Sequence, residues 1–149
     1  MDLTSKAFAN GGIIPKKYGY NHGNFSLPLT FEEIPEKTIS LALIMDDPDA
    51  IAVVGKNWTH WLVWNIPASI NEFEENFIPK NIIQGTNDFE TIGYGGPAPP
   101  DKEHTYVFRL YAISRFLELS EGSIKSQLEK SIENYVIEES RLEGKYSPQ

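Results

Sequence analysis

The chain contains no cysteine. Disulfides and thiol chemistry are excluded, and any metal site would have to be built from histidine and carboxylate. Histidine is itself scarce, with three in 149 residues. Long hydrophobic runs are missing too. The longest, Ile39 to Met45, contains Ser40 and falls far short of the ~18 apolar residues of a membrane span. The first residues, MDLTSKAFANGG, lack the basic start and apolar block of a secretory signal. Positive charge is in deficit: 13 Lys and Arg against 21 Asp and Glu give a net charge of −8. Nucleic acid and anionic membrane are bound largely through clustered Lys and Arg, so neither is an expected partner. A local pocket can still oppose the global charge and hold a small anion. These absences predict a cytoplasmic protein of one domain over residues 1–149, with no transmembrane segment.

Turn formers, in contrast, are plentiful, with ten prolines and eleven glycines along the whole length. Beta-type runs recur between them. Phe25 to Phe31 alternates apolar and polar residues, with Pro28 marking an edge or a break. Thr38 to Met45 is a continuous apolar run, the pattern of a strand buried on both faces. Trp58 to Ile66 is aromatic and β-branched until Pro67 ends it, and Thr105 to Ile113 is similar. Four such strands predict a mainly β chain, a sandwich or barrel. The tail changes period. Ile124, Leu128, Ile132 and Tyr135/Val136 fall on one helical face, with Ser123 as N-cap and Glu121 near the positive end. A further turn or two is predicted to run to Leu142, stopped by Gly144.

Three pieces carry chemistry. In DDPDA, Pro48 restricts its neighbours, so Asp47 and Asp49 sit in a defined turn at a strand end. They either satisfy local backbone N–H groups or present carboxylates at a pocket rim. In WTHWLVW, strict alternation puts Trp58, His60 and Leu62 on one face and Thr59, Trp61 and Val63 on the other. His60 is then either a half-buried imidazole bonded to a neighbouring strand or a pocket residue. In GYGGPAPPDKEHTYVF, bare backbone around Gly96 and Pro97 leads into His104 and Tyr106, again two apart. Such a loop is either a proline-stiffened connection or a place where main-chain N–H groups approach an anion.

Together, DDPDA, the W-x-H strand followed by WLVWNIP, GYGGP with its prolines, and H-x-YVF resemble the phosphatidylethanolamine-binding protein family, in its short bacterial and archaeal, Raf kinase inhibitor-like form. SKAFANGGIIPKKYGYNHGNFSLPLTF and the closing Gly144-x-Tyr146 extend the resemblance over nearly the whole chain. It implies an antiparallel β-sandwich of Greek-key type with short C-terminal helices, and a preformed pocket for phosphate-like groups such as a phosphoethanolamine head. Carried over by motif, the pocket residues are Asp47, Asp49, Trp58, His60, Gly96, Pro97, His104 and Tyr106, with Tyr18 and Tyr146 as flanking support. Two positions depart from the family pattern. Ile51 replaces a frequent proline, and Thr105 replaces a basic residue that alternation points away from the pocket.

Carboxylates beside a phosphate are electrostatically unfavourable unless they bind the histidines instead. A carboxylate on one ring nitrogen stabilises imidazolium and leaves the other N–H free for the anion, joined by the Gly96 N–H and the Tyr106 hydroxyl. Alternatively one Asp is protonated and donates directly. No nucleophile stands within the motifs, so the expected function is non-catalytic binding of a small phosphorylated or anionic ligand, without cofactor. Regulation of a kinase or protease partner is a further expectation from the resemblance. The alternative is a metal-assisted hydrolase with Asp46, Asp47, Asp49, His60 and His104 as ligands.

Overall fold

The computed structural model describes residues 1–149. Eight strands form two antiparallel sheets: β1 (Asp2–Thr4), β2 (Leu29–Glu32), β3 (Ser40–Asp47), β4 (Trp58–Pro67), β5 (Glu72–Phe73), β6 (Ile83–Gln84), β7 (His104–Ile113) and β8 (Val136–Tyr146). The small sheet has order β1-β2-β5 and the large one β6-β4-β3-β7-β8. β3 lies at the centre of the large sheet, and all eight of its residues are buried, as its unbroken apolar run predicts. The main core fills the space between the sheets, with Phe31, Met45, Trp61 and Phe108 among its members. A second cluster covers the opposite face of the large sheet, where Ile44, Leu62 and Trp64 meet Leu128 and Ile132 of the helix α2 (Lys125–Ile132). The chain is mainly β, an antiparallel sandwich with helix packed on its outside. No helix is long and apolar enough to cross a membrane.

The C-terminal expectation needs correcting. α2 ends at Ile132, a turn follows, and the residues from Val136 to Leu142 are not helical but belong to β8, which pairs with β7 from Val136 to Tyr146 with one break at Ile137. Leu142, Gly144 and Tyr146 are buried and alternate with less buried neighbours, a period of two that apolar spacing up to Val136 did not reveal. Ser123 is not the cap either. Its hydroxyl donates to Ser120 O, while Gln127 Oε1 accepts the Ile124 N–H at 2.9 Å and closes the helix start. The run from Phe25 becomes a strand only at Leu29, after Pro28, whose carbonyl instead accepts from the Ser5 hydroxyl.

Two irregularities in the β3–β4 pairing place the site. Asp46 is opposite Thr59, but Met45 is opposite Trp61, so β4 carries an extra residue at His60. The bulge breaks the alternation: His60 joins Trp61 on the inner face instead of sharing Leu62's outer face. A second slip between Leu41 and Leu43 coincides with Asn65 at a φ of 54° and restores Ile66 to the core.

Candidate functional site

At the end of the large sheet, β3, β4 and β7 open onto a cavity of about 160 Å³. Its polar lining is Asp47, His60, His104 and Tyr106; Trp58, Phe89, Val53 and Val54 supply much of the apolar wall. Asp47 ends β3 and turns into Pro48–Ala50, where its Oδ1 accepts the Asp49 N–H at 3.0 Å. His104 starts β7 and is gripped from both sides. Its Nδ1 donates to Asp47 Oδ2 at 2.6 Å and its Nε2 to Asp101 Oδ1 at 2.7 Å. Both nitrogens donate only in the imidazolium. Burial pulls the His104 pKa down, but the two carboxylates outweigh it and hold it above the ordinary value. Burial also raises Asp47 against the pull of His104, so the pair is a charged one under a strong desolvation load.

His60 is the opposite case. It is 2% exposed, and its Nδ1 donates to Gly95 O at 2.6 Å while its own carbonyl accepts the Gly95 N–H at 2.9 Å. Burial pushes its pKa down to about 4. The ring is therefore neutral near pH 7 and presents Nε2 as its unoccupied nitrogen. The Tyr106 ring stands edge-on to it at 5.1 Å, and Phe89 at 5.5 Å. The Tyr106 hydroxyl is fully buried and has no hydrogen-bond partner. Burial and the nearby Asp47 carboxylate both push its pKa up, so the hydroxyl keeps its proton and stands beside Asp47 without reaching hydrogen-bond geometry.

The structure thus brings Asp47, Trp58, His60, His104 and Tyr106 together at one cavity. The other three expected residues stand outside it. Asp49 accepts the Thr105 N–H at 2.8 Å and ties the turn to β7. Gly96 donates its N–H to Asn24 Oδ1 at 2.8 Å, and a Cβ there would lie 2.1 Å from Tyr18 O. Its bare backbone admits the neighbouring chain rather than a ligand. Pro97 accepts from the Tyr20 N–H and borders an adjoining cleft. The hydrolase ligand set is also split. Asp46 is on the far face, held by Arg109 Nη1 at 3.1 Å and Lys125 Nζ at 2.6 Å. No group of three or more His, Asp or Glu side chains is arranged to hold a metal ion.

Sequence reasoning missed Phe89 and Asp101. Phe89 sits in a loop folded by Asn87, whose side chain accepts from the Phe89 N–H and donates to Gly93 O, a long-range outcome with no periodic signal. Asp101 was detectable, being a carboxylate three residues before a site histidine. Tyr18 and Tyr146 stand behind the wall: the Tyr18 hydroxyl donates to Glu75 and the Tyr146 hydroxyl to Lys16 O.

Fold and cavity define a β-sandwich with a preformed pocket at the end of its large sheet. The chain belongs to the phosphatidylethanolamine-binding protein family, whose model matches residues 4–147. A UPF0098 protein of Methanothermobacter thermautotrophicus is 42% identical over 98% of both chains, and one of Chlamydia muridarum 40% over 98% of both. The crystal structure of CT736, a phosphatidylethanolamine-binding protein homolog from Chlamydia trachomatis, superposes with a TM-score of 0.94 at 37% identity, covering 99% of this chain and 97% of its own. Escherichia coli YbcL, described as a member of the mammalian family, gives 0.91 at 28% identity over 99% and 98%.

Proposed function

We propose that this protein is a non-catalytic receptor for a small oxyanion of the phosphate type, bound together with a proton. The observation that carries this is the buried Tyr106 hydroxyl, an unsatisfied donor beside the open nitrogen of a neutral histidine. An unpaired buried hydroxyl costs roughly 1–3 kcal/mol, so an acceptor entering the cavity removes an existing penalty. The expected arrangement of a free imidazolium N–H does not hold for His104, because both its nitrogens are already bonded to carboxylates. The second donor is His60 Nε2 instead, once it is protonated. An anion beside it offsets the burial that keeps the ring neutral. No Lys or Arg lines the cavity, so the anion brings its countercharge as that proton. Regulation of a kinase- or protease-like partner belongs to the same proposal, with exposed Ile51, Val53 and Val54 at the mouth as the surface such a partner would meet.

Calorimetric titration with sulfate and with a phosphodiester, neither of which gains a proton near neutrality, tests this. In buffers of different ionisation enthalpy each anion should take up close to one proton per site. Affinity should fall as pH rises above about 4, the value of the empty-site His60, by up to ~tenfold per pH unit until the bound-state pKa is passed. Binding without proton uptake, or no binding of either anion, overturns the proposal.

A further inference from the structure

β8 is the last strand of the large sheet, so one of its edges has no strand beside it. The chain closes part of that edge itself. Gly11 N–H donates to Glu143 O, Ile14 N–H to Lys145 O and Lys145 N–H to Gly12 O, each at 2.8 Å, and Asn10 Oδ1 accepts the Glu143 N–H at 2.9 Å. These bonds identify the residues that turn their backbone outward as Glu143 and Lys145. Direction alternates along an antiparallel strand, so Glu139 and Arg141 also turn their N–H and C=O groups outward. Neither makes a main-chain bond on that side. Below them, opposite the step from Ala112 to Ile113, Ile137 is a bulge that ends the regular ladder. The edge without main-chain partners is the stretch from Glu138 to Leu142, with the terminal ammonium of Met1 bonded to the Glu138 carboxylate at its start.

We propose that this stretch is the contact of a symmetric dimer, in which it pairs antiparallel with the same stretch of a second copy. A two-fold axis makes the interface self-complementary, and main-chain pairing requires that opposed residues both turn outward. Three registers meet this requirement. Glu139 opposite Glu139 sets like charges on the axis and calls on the bulged Ile137 for its flanking pair. Arg141 opposite Arg141 also sets like charges there, and needs the edge of Glu143, which is occupied. Glu139 opposite Arg141 uses only main-chain groups without a partner, matches charges in both pairs once Arg141 exchanges its 2.9 Å bond to Glu143 for the opposed Glu139, and leaves small Ser140 on the axis. Natural edges are commonly guarded by charge. Here the two outward positions carry opposite signs, both exposed, so the guard discriminates between registers instead of forbidding pairing. In the matched register Ile137 falls opposite the second copy's Glu143, whose edge is occupied by Gly11, so the pairing is confined to Glu139 and Arg141 and the start of β8 turns away at the Ile137 bulge.

Sedimentation equilibrium of the full chain over a concentration series should give a dimer. Arg141→Glu and Glu139→Arg should each weaken it at least ~100-fold, because each creates two like-charge pairs across the axis. An equal mixture of the two single variants should form a heterodimer as tight as the parent dimer, since all of its opposed pairs again have opposite signs. That recovery also shows that both variants are folded. A monomeric parent chain overturns the proposal. So does a dimer that either single reversal leaves intact, or a mixture that stays monomeric.

Discussion

Tyr106 is fully buried, its ring packs between those of two histidines, and its hydroxyl has no partner in hydrogen-bond geometry. A group held this way is a cost to the fold unless something else uses it. Tyr106→Phe removes the orphan oxygen and keeps the ring. It is expected to stabilise the unliganded protein by about 1 kcal/mol, seen as a higher urea midpoint at unchanged slope. The same change should weaken sulfate binding. A variant less stable than the parent would mean that the hydroxyl is satisfied in solution. His60 and His104 show how position decides protonation for one residue type. His104 is flanked by two carboxylates and stays charged, whereas His60 faces a carbonyl and aromatic edges and is neutral.

At the scale of elements, β3 divides its two adjacent aspartates between its faces. Asp47 looks into the cavity, and Asp46 anchors Arg109 of β7 and Lys125 of α2. Asp46 is fully buried while its two cations keep partial contact with water. Asp46→Ala is expected to cost about 3 kcal/mol in denaturant unfolding, the low end for breaking a buried pair, because both cations can rehydrate. The strands were legible wherever one segment held a long apolar or aromatic run, as in β3, β4 and β7. β1, β5 and β6 are too short for any period to show. β8 was misread because its charged half, Glu138 to Arg141, hides the alternation that begins only at Leu142. The cavity's histidines, Asp47, Trp58 and Tyr106 were legible from motif and spacing. Its geometry was not, since the β4 bulge that turns His60 inward depends on pairing with β3, and the bond that occupies Gly96 depends on Asn24.

For the whole molecule, the two buried histidines shape stability against pH from opposite sides. His60 has a folded value of about 4 against 6.5 when free, so the unfolded chain binds more protons between these values. Stability should fall as pH drops through that window, by about 3 kcal/mol in all. His104 is raised above 6.5, so its contribution is complete below that value and is lost as pH rises through its folded pKa. A dome with its crest near neutrality is expected from urea midpoints measured between about pH 4 and about pH 9. His104→Gln should flatten the alkaline limb and leave the acid limb in place; an unchanged alkaline limb would remove His104 from this account. The loop around Gly93–Pro97 is bonded at both ends, to Gly85, His60, Asn24 and Tyr20. These bonds hold the segment that leads into Ala98 and Pro100 of the cavity wall. If the proposed anion binds in the cavity, stopped-flow capture is expected to be a single bimolecular step with a rate linear in anion concentration, and differences in affinity among anions should appear almost wholly in how long each one stays.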